Sequence, residues 1–366
     1  MAKQERYPDE PDFVTPPGDT LLELLEERSM TQSELARRMG RSIKTINEII
    51  RGRTVIMPET ALQLERVLGT PARFWLKREQ HYREHLARRA ENKALQAQQG
   101  WLNHFPIKVM QACGWLPRDV NGTPLLVELL QFFGIAEPAS WEDMWSHCLV
   151  NYRKTTAYES SDYALSAWLR QGEIEAEEIP CGAYDKTRFK QLLKNEIRAL
   201  TCQPAEQFQA QLVALCASVG VAVVFVPQIA GARVSGATRW LNKDKALIQL
   251  SLRYKMNEHF WFTFFHEAGH IVLHGKREVF IDTKSEDRDA KEREADQFAA
   301  DMLIPPGKYA AFVRSKKGTR QAVVREFAQK IGIAPGIVVG RLQHDGYLSY
   351  SHLNGLKEKF VWVEPC

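Results

Sequence analysis

The sequence has no apolar run long enough to cross a membrane. "VAVVFV" and the stretch around "WFTFF" fall well short of the ~18 residues a span requires. The opening segment "MAKQERYPDEPDFVTPPGDT" lacks the apolar stretch of a secretory signal, so a cytoplasmic address with no membrane partner is expected. The six cysteines (Cys113, Cys148, Cys181, Cys202, Cys216, Cys366) form no CxxC and no short spacing. They read as reduced thiols rather than a disulfide framework or a zinc knuckle. A large excess of one charge is also missing: the net +4 over 366 residues does not by itself imply a polyanionic partner. What remains is an ordinary globular composition, 44% hydrophobic and 26% charged, with length for two or three domains and no internal repeat.

Along the chain, residues 1–17 read as a flexible lead-in and 18–76 as short amphipathic helices separated by Gly and Pro. Residues 77–189 begin with a charged helix over 77–99. They continue as a helical middle in which no chemistry is evident, a linker or dimerisation layer. Near residue 220 the character changes. "VGVAVVFVP" is β-branched and bounded by Gly220 and Pro227, a buried strand; "SGATRWL" and "KALIQLSL" continue as strands, the last with alternating faces. Helices then resume, and 313–366 reads as a C-terminal helical element.

In "MTQSELARRMGRSIKTINEIIRGR", Thr31 and Glu34 have the spacing of a capping box, and Gly40 suits a left-handed helix end. Ser42 caps a second helix whose buried face is expected to be Ile43, Ile46, Ile49 and Ile50. Ala36 permits the tight crossing between the two. Lys44, Thr45, Asn47, Glu48 and Arg51 point outward, side chains suited to base edges and phosphates in a major groove. Residues 31–53 hold six Lys/Arg (37, 38, 41, 44, 51, 53) against two Glu, so Arg53 extends a patch attractive to phosphates.

Residues 18–76 resemble the Xre/Cro-type domain of HigA-like antidote proteins. The resemblance implies a five-helix, lambda-repressor-like fold working as a homodimer on a palindromic operator of double-stranded DNA. Gln32 and Ser42 would then meet phosphates, and Lys44, Thr45, Asn47 and Arg51 would face bases.

In "WFTFFHEAGHIVLH", His266 and His270 lie four apart on one helix face, about 6 Å from each other, a span one zinc ion can bridge. Glu267 sits beside that face, where a carboxylate can take a proton from a water. The composition yields only about 0.02 chance matches to HExxH per chain, and the aromatic surroundings predict a helix buried over nearly its whole circumference. Two buried imidazoles need partners, which a metal supplies. "KEREADQFAADMLIP" offers Glu292 as the third ligand and Asp296, one turn on, as the residue orienting a ligating histidine; Glu294 is the alternative ligand. His274 reads as a helix-end hydrogen-bonder.

Residues 190–312 resemble the ImmA/IrrE family of zinc peptidases through "GVAVVFVP", "SGATRWL", "FTFFHEAGHIVLH" and "EREADQFAADMLIP", with Leu303-Ile304-Pro305 departing mildly from the usual Leu-Met-Pro. The resemblance implies a zincin-like helical core with a small antiparallel sheet and a Zn2+ cofactor. It also implies His266, His270 and Glu292 as ligands, Glu267 as general base, and cleavage of a partner protein. Tyr254, His259 and Tyr309 are open candidates for stabilising an oxyanion. "FAQKIGIAPGIVVGRLQHDGYL" resembles a second small helix-turn-helix and, without basic residues on its outer helix, reads as a packing element.

The expected fold is therefore α+β, mostly α. Two functional readings follow. One is a DNA-binding regulator of antitoxin type carrying a zinc peptidase that acts on a partner protein or toxin. The other is a non-catalytic antidote or repressor whose C-terminal half only binds metal or a partner.

Overall fold

The computed structural model describes residues 14–153, 161–232, 234–251, 256–274, 285–315 and 320–360. Most of the lead-in and Tyr254 lie outside them. The chain divides into two compact units, Met1–Gln99 and Gly100–Cys366.

Among its described residues the first unit holds five helices: α1 (Pro17–Glu27), α2 (Gln32–Met39), α3 (Ile43–Ile50), α4 (Pro58–Leu68) and α5 (Ala72–Ala97). The local signals act as expected. Thr31 Oγ1 accepts from Glu34 N at 3.2 Å, and Ser42 Oγ accepts from Thr45 N at 3.1 Å. Gly40 ends α2 with φ +63°, which a residue with a Cβ adopts only at a cost. Leu21, Leu35, Ile46, Ile49, Leu64 and Trp75 form the centre of the core. Ile43 departs from expectation. As the first residue of α3 it projects before the helix reaches its neighbours and is 51% exposed. Beyond Trp75, α5 is largely solvated, although Glu79 is buried and bonded to Arg83, which also donates to Gly52 O at 3.0 Å.

The second unit opens with a 3-10 turn at Gln99–His104, then α6 (Ile107–Ala112), α7 (Gly122–Phe133), α8 (Pro138–Arg153) and α9 (Asp162–Glu177). Next, α10 (Lys186–Leu192) passes through a π turn at Leu193–Ile197 into the short α11 (Arg198–Leu200), followed by α12 (Ala205–Ala217). Strands β1 (Val221–Val226), β2 (Gly236–Trp240) and β3 (Ala246–Ser251) precede α13 (Asn257–Leu273), α14 (Ser285–Leu303), α15 (Pro306–Arg314), α16 (Gln321–Ile331) and α17 (Pro335–His344).

The sheet order is β1-β3-β2, and the sheet is mixed, which corrects the expectation of an antiparallel one. β2 and β3 form an antiparallel hairpin, Trp240 opposite Ala246. β1 takes the other side of β3 and runs parallel to it, Val221 opposite Ala246. All six residues of β3 are buried, whereas β2, at the edge, is mostly half-exposed.

Both faces of the sheet are covered. Val221, Val223, Ile248 and Leu250 join a core with Trp261, Phe264 and Phe265 of α13, Ala299 and Leu303 of α14, and Val338 of α17. Ala222, Val224, Val226 and Leu247 join a second core with Leu129 and Phe133 of α7 and Leu165, Trp168 and Leu169 of α9. The middle segment, read from sequence as a linker, thus covers one face of the sheet. There Gln249 lies fully buried, its Nε2 donating to Trp168 O at 2.6 Å. The C-terminal pair α16 and α17 joins the first core, in keeping with a packing role. Cys113 is disulfide-bonded, against the expectation of free thiols throughout, because sequence spacing does not register neighbours made by folding. Cys181, Cys202 and Cys216 are free.

Candidate functional site

The candidate metal site is built on α13, whose N-terminal end is held from outside the helix. Met256 forms an antiparallel bridge with Lys359, Asn257 N donates to Glu358 O at 2.9 Å, and Lys357 Nζ meets Glu258 Oε1 at 2.7 Å. Trp261, Phe264, Phe265, Ala268, Ile271 and Val272 are buried. Phe262 and Leu273, read as part of a circumference buried nearly all round, are instead exposed: they flank the histidine stripe, which faces α14 and solvent rather than the core.

His266 Nε2 and His270 Nε2 lie 3.0 Å apart, and Glu292 Oε2 of α14 lies 3.2 Å from the first and 3.6 Å from the second. Glu292, Asp296 and His266 therefore come together, while Glu294 turns to His274 at 3.2 Å. Those three atoms fit a metal ion. The point equidistant from them is about 1.9 Å from each, against ~2.0–2.2 Å for zinc–nitrogen and zinc–oxygen bonds. Two imidazoles and one carboxylate are also a zinc donor set that leaves a position open.

The electrostatics agree. Burial acts to lower the His266 pKa, but hydrogen bonds to Asp296 and Glu292, with the charges of Glu267 and Glu292, push it up to about 10. Burial acts to raise that of Glu292, yet His266 and His270 hold it well below the usual carboxylate range. The pocket favours a cation, proton or metal. Asp296 Oδ1 accepts from His266 Nδ1 at 2.8 Å, which leaves Nε2 free for a metal.

Glu267 is buried, and its carboxylate lies against Gly236 at the start of edge strand β2. Thr238 Oγ1 donates to Glu267 O at 3.2 Å, fixing the strand to the helix. Of the oxyanion candidates, Tyr309 OH donates to Asp345 Oδ2 at 2.8 Å, and His259 faces Glu258 at 3.8 Å. Sequence reasoning missed Gly236 and Gly269, since a glycine's use in close approach shows only when its neighbour is known.

On the first unit, the side chains of α3 proposed to contact DNA differ in exposure. Lys44 is 83% exposed and loosely paired with Glu48 at 3.9 Å. Arg51 and Arg53 are exposed; Thr45, Asn47 and Gln32 are half-buried. The Ser42 hydroxyl is already occupied as the cap and lies 2.9 Å from Thr45 Oγ1. Arg41 donates to Gln63 at 3.0 Å.

The geometry defines a helix pair with an exposed outer helix, and a cluster of three side chains that could hold a metal ion. Two family models match the chain. Residues 21–75 match the helix-turn-helix family, and residues 216–343 match the family described as the IrrE N-terminal-like domain, which is peptidase-like. A relative in Escherichia coli K12, the uncharacterized HTH-type transcriptional regulator YddM, is 33% identical over 60 residues, 16% of this chain and 64% of that protein. This chain therefore spans less than two thirds of that relative's length.

Solved structures similar to part of this chain include PA4674 of Pseudomonas aeruginosa with its operator DNA. It is 30% identical over 22% of this chain and 91% of that one, TM-score 0.22. The antitoxin HigA of the same organism with the higBA promoter is 30% identical over 23% and 94%, TM-score 0.22. A HigA-family antidote protein of Coxiella burnetii is 28% identical over 22% and 90%, TM-score 0.21.

Proposed function

We propose that this chain is a DNA-binding regulator, working as a homodimer on a palindromic operator, whose second unit is a zinc-dependent peptidase acting on a specific partner protein or toxin in the cytoplasm. The observation that carries the reading is the convergence of His266 Nε2, His270 Nε2 and Glu292 Oε2, with the Glu267 carboxylate one residue away and turned to an edge strand. Zinc held there supplies Lewis acidity toward a peptide carbonyl and toward water.

The chain's own groups do the rest. Asp296 holds His266 in orientation, and Glu267 takes the proton of the attacking water and returns it to the leaving amine. The edge of β2 pairs with an extended peptide by strand addition, which sets the scissile bond beside Glu267. In the first unit, Lys44, Thr45, Asn47 and Arg51 read bases, while Gln32, Ser42 and Arg53 meet phosphates.

Metal analysis of purified wild type and Glu267→Gln tests the second unit. Both should hold one zinc, and only wild type should process a partner or release DNA in cells. Zinc-free wild type, or unchanged repression and processing in Glu267→Gln, defeats the peptidase reading. Asn47→Ala with Arg51→Ala should abolish retardation of duplexes enriched from a random library; retained sequence-specific binding moves the reading helix elsewhere.

A further inference from the structure

His266 and His270 are held in different ways. The Nδ1 of His266 meets a carboxylate directly, whereas the Nδ1 of His270 lies 2.9 Å from Nδ1 of His274. Two imidazole nitrogens at that distance share a hydrogen bond only when one carries a proton and the other a lone pair. His270 has already turned Nε2 toward His266 and Glu292, and an Nε2 that offers a lone pair to a cation requires the proton on Nδ1. His270 Nδ1 therefore donates and His274 Nδ1 accepts. The proton of neutral His274 then sits on its Nε2, which lies 3.2 Å from Glu294 Oε2, an acceptor when ionised. Each ring's tautomer is set by the next, and the series ends on a carboxylate.

His274 can do this because of where the helix stops. It is the C-cap of α13, with extended backbone at φ −97° and ψ 149°, while its N–H still donates to His270 O at 3.0 Å. Its side chain stays on the stripe and is only 10% exposed, against 63% for Glu294.

We propose that His274, backed by Glu294, is a positioning residue that fixes the tautomer and orientation of His270 for metal binding. This rests on the metal reading of the pocket. The test is zinc affinity of the full chain, by competition with a chelating chromophore, alongside the nitrogen-15 imidazole spectrum of His270. His274→Ala should weaken zinc binding about ten- to a hundredfold and lose the single Nδ1–H tautomer of His270. His274→Asn, whose Oδ1 can accept where Nδ1 did, should stay within about threefold of wild type. Glu294→Ala, on the surface, should fall between the two.

A wild type that takes up no zinc removes the metal reading and this inference together. A zinc-binding wild type with His274→Ala within about twofold of it, or His274→Asn as weak as the alanine variant, overturns this inference alone. If His274→Ala does not fold, Glu294→Ala decides: unaltered affinity and tautomer overturn it.

Discussion

Gly269 of α13 and Ala295 of α14 meet backbone to backbone. A side chain at 269 would bring its first carbon to 3.3 Å from Ala295 Cα and 3.1 Å from Phe298 Cδ1. This crossing carries Glu292 to the two histidines, because Glu292 lies one turn before Ala295 on the same helix. Gly269→Leu should force α14 outward, destabilise the unit by about 1–3 kcal/mol, and weaken zinc binding at least tenfold. Thermal unfolding with and without zinc, together with a zinc titration, checks both; unchanged zinc affinity would remove the crossing from the site's architecture.

Gly236 stands in a comparable relation to Glu267. A methyl group there would lie 2.8 Å from Glu267 Oε1, 2.9 Å from Glu267 Cγ and 2.8 Å from Thr263 Cγ2, so the Glu267 side chain has to move. Gly236→Ala should therefore redirect the carboxylate. Zinc content should be unaltered while processing of the partner falls. A fully active Gly236→Ala would mean that Glu267 does not need its present orientation.

The Asp345 carboxylate is contacted by His344, Arg341 and Tyr309 at 3.0, 2.7 and 2.8 Å. Burial acts to raise its pKa, but the hydrogen bonds of His344, Arg341 and Tyr309 prevail and lower it. A depressed carboxyl contributes stability that is present above its unfolded value of about 3.9 and is lost as pH falls through the folded value. Asp345→Asn should lower the unfolding midpoint at pH 7, and the gap to wild type should close below about pH 4. Urea unfolding across that range measures it; a gap independent of pH would contradict the assignment.

On α3, Ile46 is fully buried and Ile43 is exposed. Ile46→Ala should cost about 2–5 kcal/mol, and Ile43→Ala should stay within about 0.5 kcal/mol. Chemical unfolding of the two variants distinguishes a packed α3 in this orientation from one rotated to bury both residues.

Much of this molecule was legible before any coordinates. Thr31, Ser42 and Gly40 act through hydrogen bonds and backbone angles within a few residues of themselves, so the helix ends of the reading motif were open to inspection. HExxH, at i and i+4, was legible for the same reason. Ile43 was misread because helical periodicity names a face but not where neighbouring helices begin to cover it.

The sequence alone determined the local elements, the helix caps of the helix-turn-helix and the i, i+4 spacing of His266 and His270, since caps, turns and i, i+4 pairs are short-range. Only the tertiary structure decided that helices of the middle segment cover one face of the sheet, that β1 runs parallel to β3, and that Cys113 is bridged. It also decided that Glu294 serves His274 rather than the metal pocket. Those outcomes depend on which surfaces pack together between segments twenty residues or more apart, through burial and close approach. No spacing in a one-dimensional string encodes a distance between chains of atoms that meet only after folding.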